Sequence, residues 1–125
     1  MRRTALLTIA ILPLAAAPAA AQGDPAAGEK VFARCKACHV VDKEQNRVGP
    51  HLVGIVGRPA GSVEGFKYSD AMKSSGKTWD EATIAAYLKD PKGYIPGNKM
   101  AFAGLKKDDE IANVIAYLKQ ASSTQ

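Results

Sequence analysis

Two cysteines and a histidine stand together in the stretch CKACHV, where Cys35, Cys38 and His39 have the spacing CxxCH. One helical turn at this spacing brings the two thiols and the imidazole to one side of the chain. These are the groups that hold a c-type haem: the thiols add to its two vinyl groups, and the histidine becomes an axial ligand of the iron. The motif therefore predicts one covalently attached haem c.

Other sites also use closely spaced cysteines. A thioredoxin-like redox site expects a strand before the motif and a βαβ context, whereas the flanking residues here have a helical pattern. A structural zinc site needs four ligands, but the chain has no third cysteine and only one further histidine, His51. Both alternatives are less consistent with the sequence than haem.

Residues 1–21 have the three-part layout of a secretory signal peptide, with two arginines, an apolar run and three alanines before Gln22. Two prolines interrupt the apolar run, and a bilayer-spanning helix needs about 20 apolar residues. We expect cleavage after residue 21, which leaves residues 22–125 as one domain in an oxidising compartment. Free neighbouring thiols tend to oxidise there, so the two cysteines must be occupied.

The net charge of the chain indicates which class of macromolecule it can bind. The chain carries a formal charge of +5, and loss of two arginines with the signal peptide makes it less basic. A modest positive excess favours an acidic patch on a protein partner. The sequence contains no arginine run and no nucleic-acid motif, so no nucleic-acid partner is expected.

Three amphipathic helices account for the regular structure that the sequence predicts, so the expected fold class is all-α. The first begins at Asp24, an N-cap residue that precedes Pro25. The second lies in TWDEATIAAYLKDP, where Thr78 and Glu81 have the spacing of a capping box. The last is DDEIANVIAYLKQA, whose acidic first turn and C-terminal lysine suit the helix dipole.

Long glycine-rich turns join these helices. Residues 41–77 contain six glycines and too little periodicity for a long helix, yet they include apolar residues such as Leu52, Ile55 and Phe66. So much irregular chain in a small domain usually surrounds something, and a mobile surface loop would be less apolar. We expect these turns to wrap around the haem.

A haem that carries electrons without binding a substrate needs a second axial ligand, and a His/Met pair raises its reduction potential. Met100 lies in GYIPGNKMAFAG, which has no helical pattern that would bury a methionine for packing alone. Met72, in YSDAMKSSG, is more typical of a gap-filling side chain, and His51 of an exposed loop residue. Met100 is therefore the preferred ligand, with Met72 and His51 as alternatives.

The sequence resembles the class I c-type cytochromes, most closely the bacterial cytochromes c2, which are similar to mitochondrial cytochrome c. The resemblance runs from about Gly23 to Ser122. Five motifs in the family's order carry it: GEKVFARCKACH, VGPHLVGIVGR, GFKYSDAM, TWDEATIAAYLKDPKGYIPGNKMAFAG and IANVIAYLK. It implies a small cytochrome c fold, with three main helices and long loops around the haem.

The resemblance also implies roles for single residues. Cys35 and Cys38 would hold the haem by thioethers, His39 would be the proximal ligand and Met100 the distal one. The carbonyl of Pro50 would accept a hydrogen bond from the second ring nitrogen of His39. The other implied haem contacts are propionate donors at Arg58, Tyr68 and Trp79, and a residue on the methionine side at Tyr87. At the crossing of the first and last helices, the implied contacts are Gly28 and Phe32 against Val114 and Tyr117.

Two positions depart from the mitochondrial pattern. Asn98 stands where threonine is usual, and we expect it still to donate a hydrogen bond toward a propionate. Met72 stands where an asparagine near a buried water is usual. That replacement implies a drier pocket with an altered reduction potential.

A closed His/Met site implies a one-electron carrier rather than an enzyme, because the iron has no position for a substrate. The resemblance implies a periplasmic monomer that takes electrons from a cytochrome bc1 complex and gives them to a photosynthetic reaction centre or a terminal oxidase. Docking would be transient and electrostatic. The implied docking residues are Arg34, Lys36, Lys92, Lys99, Phe102, Lys106 and Lys107.

Two rival functions remain at this point. A haem enzyme or ligand sensor would need a five-coordinate iron, and hence a Met100 that is easily displaced. A thiol–disulfide oxidoreductase would need free thiols at Cys35 and Cys38. The five motifs favour the electron carrier over both.

Overall fold

The computed structural model describes residues 23–123, so the predicted signal peptide of residues 1–21 lies outside the described residues. Within this part of the chain, five helices and one pair of short strands follow in the order α1, β1, α2, β2, α3, α4, α5. They span Pro25–Phe32, Arg58–Pro59, Asp70–Lys73, Thr78–Trp79, Glu81–Lys89, Pro91–Tyr94 and Asp108–Ala121. None of the helices in residues 23–123 is both long and apolar enough to cross a membrane.

The three predicted helices correspond to α1, α3 and α5, and the all-α fold class is confirmed. α2 and α4 have four residues each, and the sequence did not predict α4 or the two strands. β1 and β2 pair antiparallel, with Arg58 opposite Trp79. This short pairing ties the long loop after the CxxCH motif to the segment that leads into α3.

The start of α1 follows its sequence prediction. Asp24 Oδ1 accepts a hydrogen bond from the backbone N–H of Ala26 at 3.0 Å, and proline opens the first turn. The helix ends at Phe32, and the chain continues in turns. The backbone N–H of His39 then donates to the carbonyl of Cys35 at 2.9 Å. The CxxCH motif thus forms its own helical turn beyond the end of α1.

The predicted capping box of α3 is wrong. The N-cap is Asp80: its Oδ1 accepts from the backbone N–H of Thr83 at 2.8 Å, and Thr83 Oγ1 accepts from the backbone N–H of Asp80 at 2.8 Å. Thr78 is unavailable as a cap because it pairs with Pro59 in the small sheet. Aspartate is also at least as good an N-cap as threonine, so α3 begins two residues later than that box implied.

The crossing of α1 and α5 requires glycine at position 28. A Cβ built at Gly28 would overlap the backbone carbonyl of Asn113 and lie 2.9 Å from Cβ of Tyr117. Beside it, the rings of Phe32 and Tyr117 pack with centroids 5.2 Å apart. Val114, only 2% exposed, completes the contact. The implied meeting of the first and last helices at these residues is confirmed.

The end of α3 is capped by a distant segment. The backbone N–H of Leu105 donates to the carbonyl of Leu88 at 2.7 Å, and Lys106 Nζ donates to the carbonyl of Lys89 at 3.3 Å. These carbonyls belong to the last turn of the helix, where no partner within the helix exists. Gly104, with φ of +106°, allows the approach, because a Cβ there would meet the Lys89 carbonyl.

The substitution Gly28→Ala tests the helix crossing. In an exposed helix, alanine is more favourable than glycine by about 1 kcal/mol. At Gly28 we expect the opposite sign, a loss of about 1–3 kcal/mol in the free energy of unfolding, because the added methyl overlaps the Asn113 carbonyl. Denaturant unfolding of the haem-loaded protein measures the change. The control Lys30→Ala, on the exposed side of α1, should stay within about 0.5 kcal/mol of the wild type. Equal stability of Gly28→Ala and wild type would contradict the close approach.

Candidate haem-binding site

A cavity of about 280 Å3 lies between the helices and the long loops. Both cysteines, His39 and Met100 line it. The helices supply apolar walls through Ile84 of α3 and Val114 and Leu118 of α5. The long loop adds further apolar side chains, among them Leu52, Ile55 and Phe66. The structure therefore brings the predicted attachment and ligand residues to one largely apolar space.

The two cysteines lie in the turn after α1. The backbone N–H of Cys38 donates to the carbonyl of Cys35 at 3.1 Å, and neither cysteine forms a disulfide. Burial raises the pKa of the Cys35 thiol, an effect larger than the opposing charge of Arg34. A nucleophilic redox thiol instead needs a lowered pKa.

A zinc site is not supported either. Within residues 23–123, no three His, Cys, Asp or Glu side chains cluster as metal ligands would. The thioredoxin and zinc alternatives thus have no support in the site.

His39 is held in one orientation by its neighbours. Its Nδ1 lies 2.7 Å from the carbonyl oxygen of Pro50, the contact that the resemblance implied. A carbonyl can only accept, so Nδ1 carries the hydrogen and Nε2 of the neutral ring keeps a lone pair. Burial lowers the pKa of His39, which favours that neutral ring. Gly49 faces the imidazole so closely that a Cβ there would overlap it.

Met100 is surrounded by polar groups from two neighbouring segments. The hydroxyl of Tyr87, on α3, lies 3.8 Å from Met100 Sδ and 3.4 Å from Asn98 Oδ1. Burial raises the pKa of Tyr87 to about 12, so the hydroxyl remains a donor at neutral pH. The backbone N–H of Met100 donates to Asn98 Oδ1 at 2.9 Å. These contacts place one hydrogen-bond donor beside the thioether and fix the backbone of Met100.

The hydrogen bond that we expect from Asn98 toward a propionate stays a prediction, and in this structure the side-chain amide has other acceptors. Its Nδ2 donates to the carbonyls of Pro91 at 2.8 Å and of Ile95 at 2.9 Å. A side-chain amide has two N–H bonds, and both are therefore used by the backbone of α4 and its C-cap. The two carbonyls lie at the end of a four-residue helix, where acceptors are exposed to such donors.

Three residues predicted to bind propionates line the cavity: Arg58, Tyr68 and Trp79. Arg58 Nη1 donates to the carbonyls of His51 at 2.9 Å and Val53 at 3.1 Å, whereas its buried Nε has no partner in the described chain. The Tyr68 hydroxyl accepts from the backbone N–H of Val63 at 3.1 Å, which leaves its own hydrogen for another acceptor. Burial lowers the pKa of the Arg58 guanidinium, and a buried cation is stabilised by a neighbouring anion.

The two alternative ligands have different surroundings. Met72 lines the same cavity as Met100 and packs against the hydrophobic core. His51 instead lines a separate polar cavity with Glu44 and Glu64. Its Nδ1 accepts a hydrogen bond from the backbone N–H of Val53 at 3.2 Å. His51 is therefore not placed as an axial ligand, whereas Met72 belongs to the pocket wall.

Some residues at the cavity were not predicted from the sequence. Gly49 packs on the histidine ring, Ser69 is buried in the wall, and Lys67 and the 78%-exposed Val48 lie at its edge. Only Ser69 left a signal, because it precedes a short helix as its N-cap. The role of Gly49 depends on a distance across the fold, which the sequence does not show.

The predicted docking residues divide into two groups. Arg34, Lys99 and Phe102 line the cavity, whereas Lys36, Lys92 and Lys107 are exposed but do not line it. Arg34 pairs with Glu110 at 3.3 Å. Lys106 Nζ donates to two backbone carbonyls and is thereby part of the α3 cap.

Comparison with known proteins gives the family. Residues 25–122 match the family model described as Cytochrome c. The chain belongs to the cytochrome c family. It is 60% identical over 88 residues to cytochrome c2 iso-2 of Magnetospirillum fulvum, which covers 70% of this chain and 92% of that protein. Cytochrome c2 of Blastochloris viridis is 50% identical over 111 residues, 88% of this chain and 87% of that protein. The solved structure of cytochrome cH from Methylobacterium extorquens has a TM-score of 0.75 at 52% identity, and it covers 78% of this chain and 99% of that chain.

This cytochrome c is an electron carrier similar to the bacterial cytochromes c2, and it carries one haem c through Cys35 and Cys38. The structure fits that group. The apolar cavity suits a macrocycle and the thiols lie at its wall. The buried Nε of Arg58, which has no partner in the part of the chain that the structure describes, suits a carboxylate. The predicted family, the predicted fold class and the predicted cofactor are thus confirmed.

Gly49→Ala tests the packing of the histidine. The added methyl would overlap the His39 ring, so we expect the free energy of unfolding of the haem-loaded protein to fall by about 1–3 kcal/mol. The control Gln45→Ala changes an exposed residue of the same loop that does not line the cavity, and it should have an effect of at most about 0.5 kcal/mol. If the two variants unfold at the same denaturant concentration, the contact between Gly49 and the imidazole does not constrain the ring.

Proposed function

We propose that this cytochrome c is a periplasmic one-electron carrier whose iron is bound by His39 and Met100. The observation that carries the proposal is that an oriented imidazole and a thioether line the same cavity as both attachment cysteines. Bound haem supplies a reversible one-electron couple at its iron. With both axial positions taken by side chains, no position remains for a substrate.

The chain's own groups define how the two ligands act. Pro50 orients His39 so that Nε2 can bind, and Gly49 lets the backbone pack against the ring. Tyr87 directs its hydroxyl to the sulfur of Met100 or to Asn98 Oδ1. A hydrogen bond to the sulfur withdraws electron density from it, so this choice bears on the reduction potential.

Three donors would hold the propionates: Arg58, Tyr68 and Trp79. Arg58 lines the cavity, its buried Nε has no partner within residues 23–123, and its Nη1 is fixed by two carbonyls. Tyr68 has a hydroxyl hydrogen that is not needed for its contact with Val63. Trp79 is 7% exposed and lies beside Arg58 through the strand pairing. Buried carboxylates require such partners.

Docking is proposed to use the basic residues around the cavity mouth. Lys99 and Phe102 line the mouth, and Lys36, Lys92 and Lys107 add exposed positive charge. The partners would be membrane redox complexes, with a cytochrome bc1 complex as donor and a photosynthetic reaction centre or an oxidase as acceptor. A monomer that forms small, short-lived complexes suits this exchange. Export by the signal peptide of residues 1–21 would place the domain of residues 22–125 in the periplasm.

The axial ligands can be tested by absorption spectroscopy. A methionine bound to ferric haem gives a weak far-red band, which we expect in the native protein and in Met72→Ala but not in Met100→Ala. Loss of the band in Met72→Ala alone would identify Met72 as the ligand and contradict the proposal.

Carbon monoxide should not bind at once to the reduced native protein at neutral pH. Immediate binding would favour the haem enzyme or ligand sensor.

The role of the basic residues around the cavity mouth can be tested with small redox reagents. For Lys99→Gln we expect oxidation by the anion hexacyanoferrate(III) to slow about twofold at low salt, because the variant loses a positive charge at the mouth. Oxidation by a cationic cobalt complex should become faster, and both differences should fade at high ionic strength. Lys30→Gln, on α1 and away from the cavity lining, is the matched control. Equal changes in the two variants would mean that only net charge matters.

A further inference from the structure

The side chain of Asn98 uses all of its hydrogen-bonding groups inside the protein. Nδ2 donates to the carbonyls of Pro91 and Ile95, at 2.8 and 2.9 Å. Oδ1 accepts from the backbone N–H of Met100 at 2.9 Å and lies 3.4 Å from the Tyr87 hydroxyl. An amide offers two donors, and both are used by these carbonyls. Oδ1 holds the Met100 N–H whether the Tyr87 hydroxyl points to it or to the Met100 sulfur.

The backbone around Met100 has few other attachments. Within residues 23–123, its N–H donates to Asn98 and its carbonyl accepts from the backbone N–H of Phe102 at 3.0 Å, two residues away. The preceding Gly97 has φ of +88°, and Pro96 has no backbone N–H to donate. The backbone N–H of Asn98 also donates to the Ile95 carbonyl, at 3.2 Å. Within the described residues, the Asn98 side chain is the group that bonds both to these carbonyls and to the Met100 N–H itself.

We propose that Asn98 is the positioning residue of Met100: it joins the end of α4 to the Met100 backbone and thereby holds the thioether in the haem cavity. This role is distinct from the propionate contact that we expect from the family resemblance. The inference rests on the proposed ligation of the iron by Met100. Its mechanical part, the attachment of the Met100 backbone to α4, can be measured separately.

The first test is displacement of Met100 by imidazole in the ferric protein. Loss of the buried hydrogen bonds in Asn98→Ala should raise the apparent imidazole affinity about fivefold to thirtyfold, because the sulfur is held less firmly. Asn98→Asp keeps the acceptor for the Met100 N–H but loses both donors to α4, so it should behave like the alanine variant. The matched control is Asn113→Ala, which removes an acceptor used by the backbone N–H of Asp24. Asn113 does not line the cavity, and imidazole affinity should not change.

The second test is hydrogen exchange of the Met100 amide in the reduced protein. Exchange should be faster in Asn98→Ala than in the wild type and unchanged in Asn113→Ala. If Asn98→Ala gives no haem-loaded protein, Asn98→Ser, which keeps one hydroxyl, replaces it in both tests.

Each outcome has a distinct meaning. Lower stability of Asn98→Ala with unchanged imidazole affinity and unchanged Met100 exchange would overturn the inference, because Asn98 would then be merely structural. If the wild type lacks the methionine–iron band, the proposed ligation fails, while faster Met100 exchange in Asn98→Ala would still support the attachment to α4. If the band is present and neither readout responds, the inference alone fails.

Discussion

The close approach of α1 and α5 at Gly28 is the contact on which the rest of the site depends. It fixes α1 against α5, and the CxxCH turn begins three residues beyond the end of α1. The same α5 presents Val114 and Leu118 to the cavity, so one crossing places both the attachment motif and part of the apolar wall. A side chain at Gly28 would separate the two elements and change the cavity shape. Helix packing at this point thus positions the attachment motif against part of the cavity wall.

Beyond that crossing, long-range hydrogen bonds to backbone carbonyls shape the site more than regular structure does. His39 is oriented by the carbonyl of Pro50, and Arg58 by the carbonyls of two loop residues. Asn98 fixes the Met100 segment in the same manner. A carbonyl on a loop can be placed wherever the chain passes, whereas helices allow only fixed spacings. This freedom explains how so irregular a chain holds its ligands in defined orientations.

The sequence predicts the long elements well and the contacts between them poorly. The bounds of α5 coincide with DDEIANVIAYLKQA, because a long apolar stripe and an acidic first turn mark a helix locally. In contrast, α4 is too short to show periodicity, and the capping box of α3 was misplaced because Thr78 pairs in a sheet that its sequence does not indicate. The hydrogen bonds of Asn98 depend on where two carbonyls lie in space. The residue type shows that the Asn98 side chain can donate hydrogen bonds, but it does not show which groups accept them.

For the basic residues near the cavity, too, the residue type does not show which groups each side chain already contacts. Lys106 donates to backbone carbonyls at the end of α3, so moving its ammonium group to a partner would expose acceptors that it now satisfies. Arg34 pairs with Glu110 through both Nη atoms, at 3.4 and 3.3 Å, and the two side chains are 55% and 23% exposed. An acidic group of a partner that took Arg34 would leave the half-buried Glu110 carboxylate without this contact. Two residues of one implied docking set are thus already engaged within the protein, one as an ion pair and the other as a helix cap.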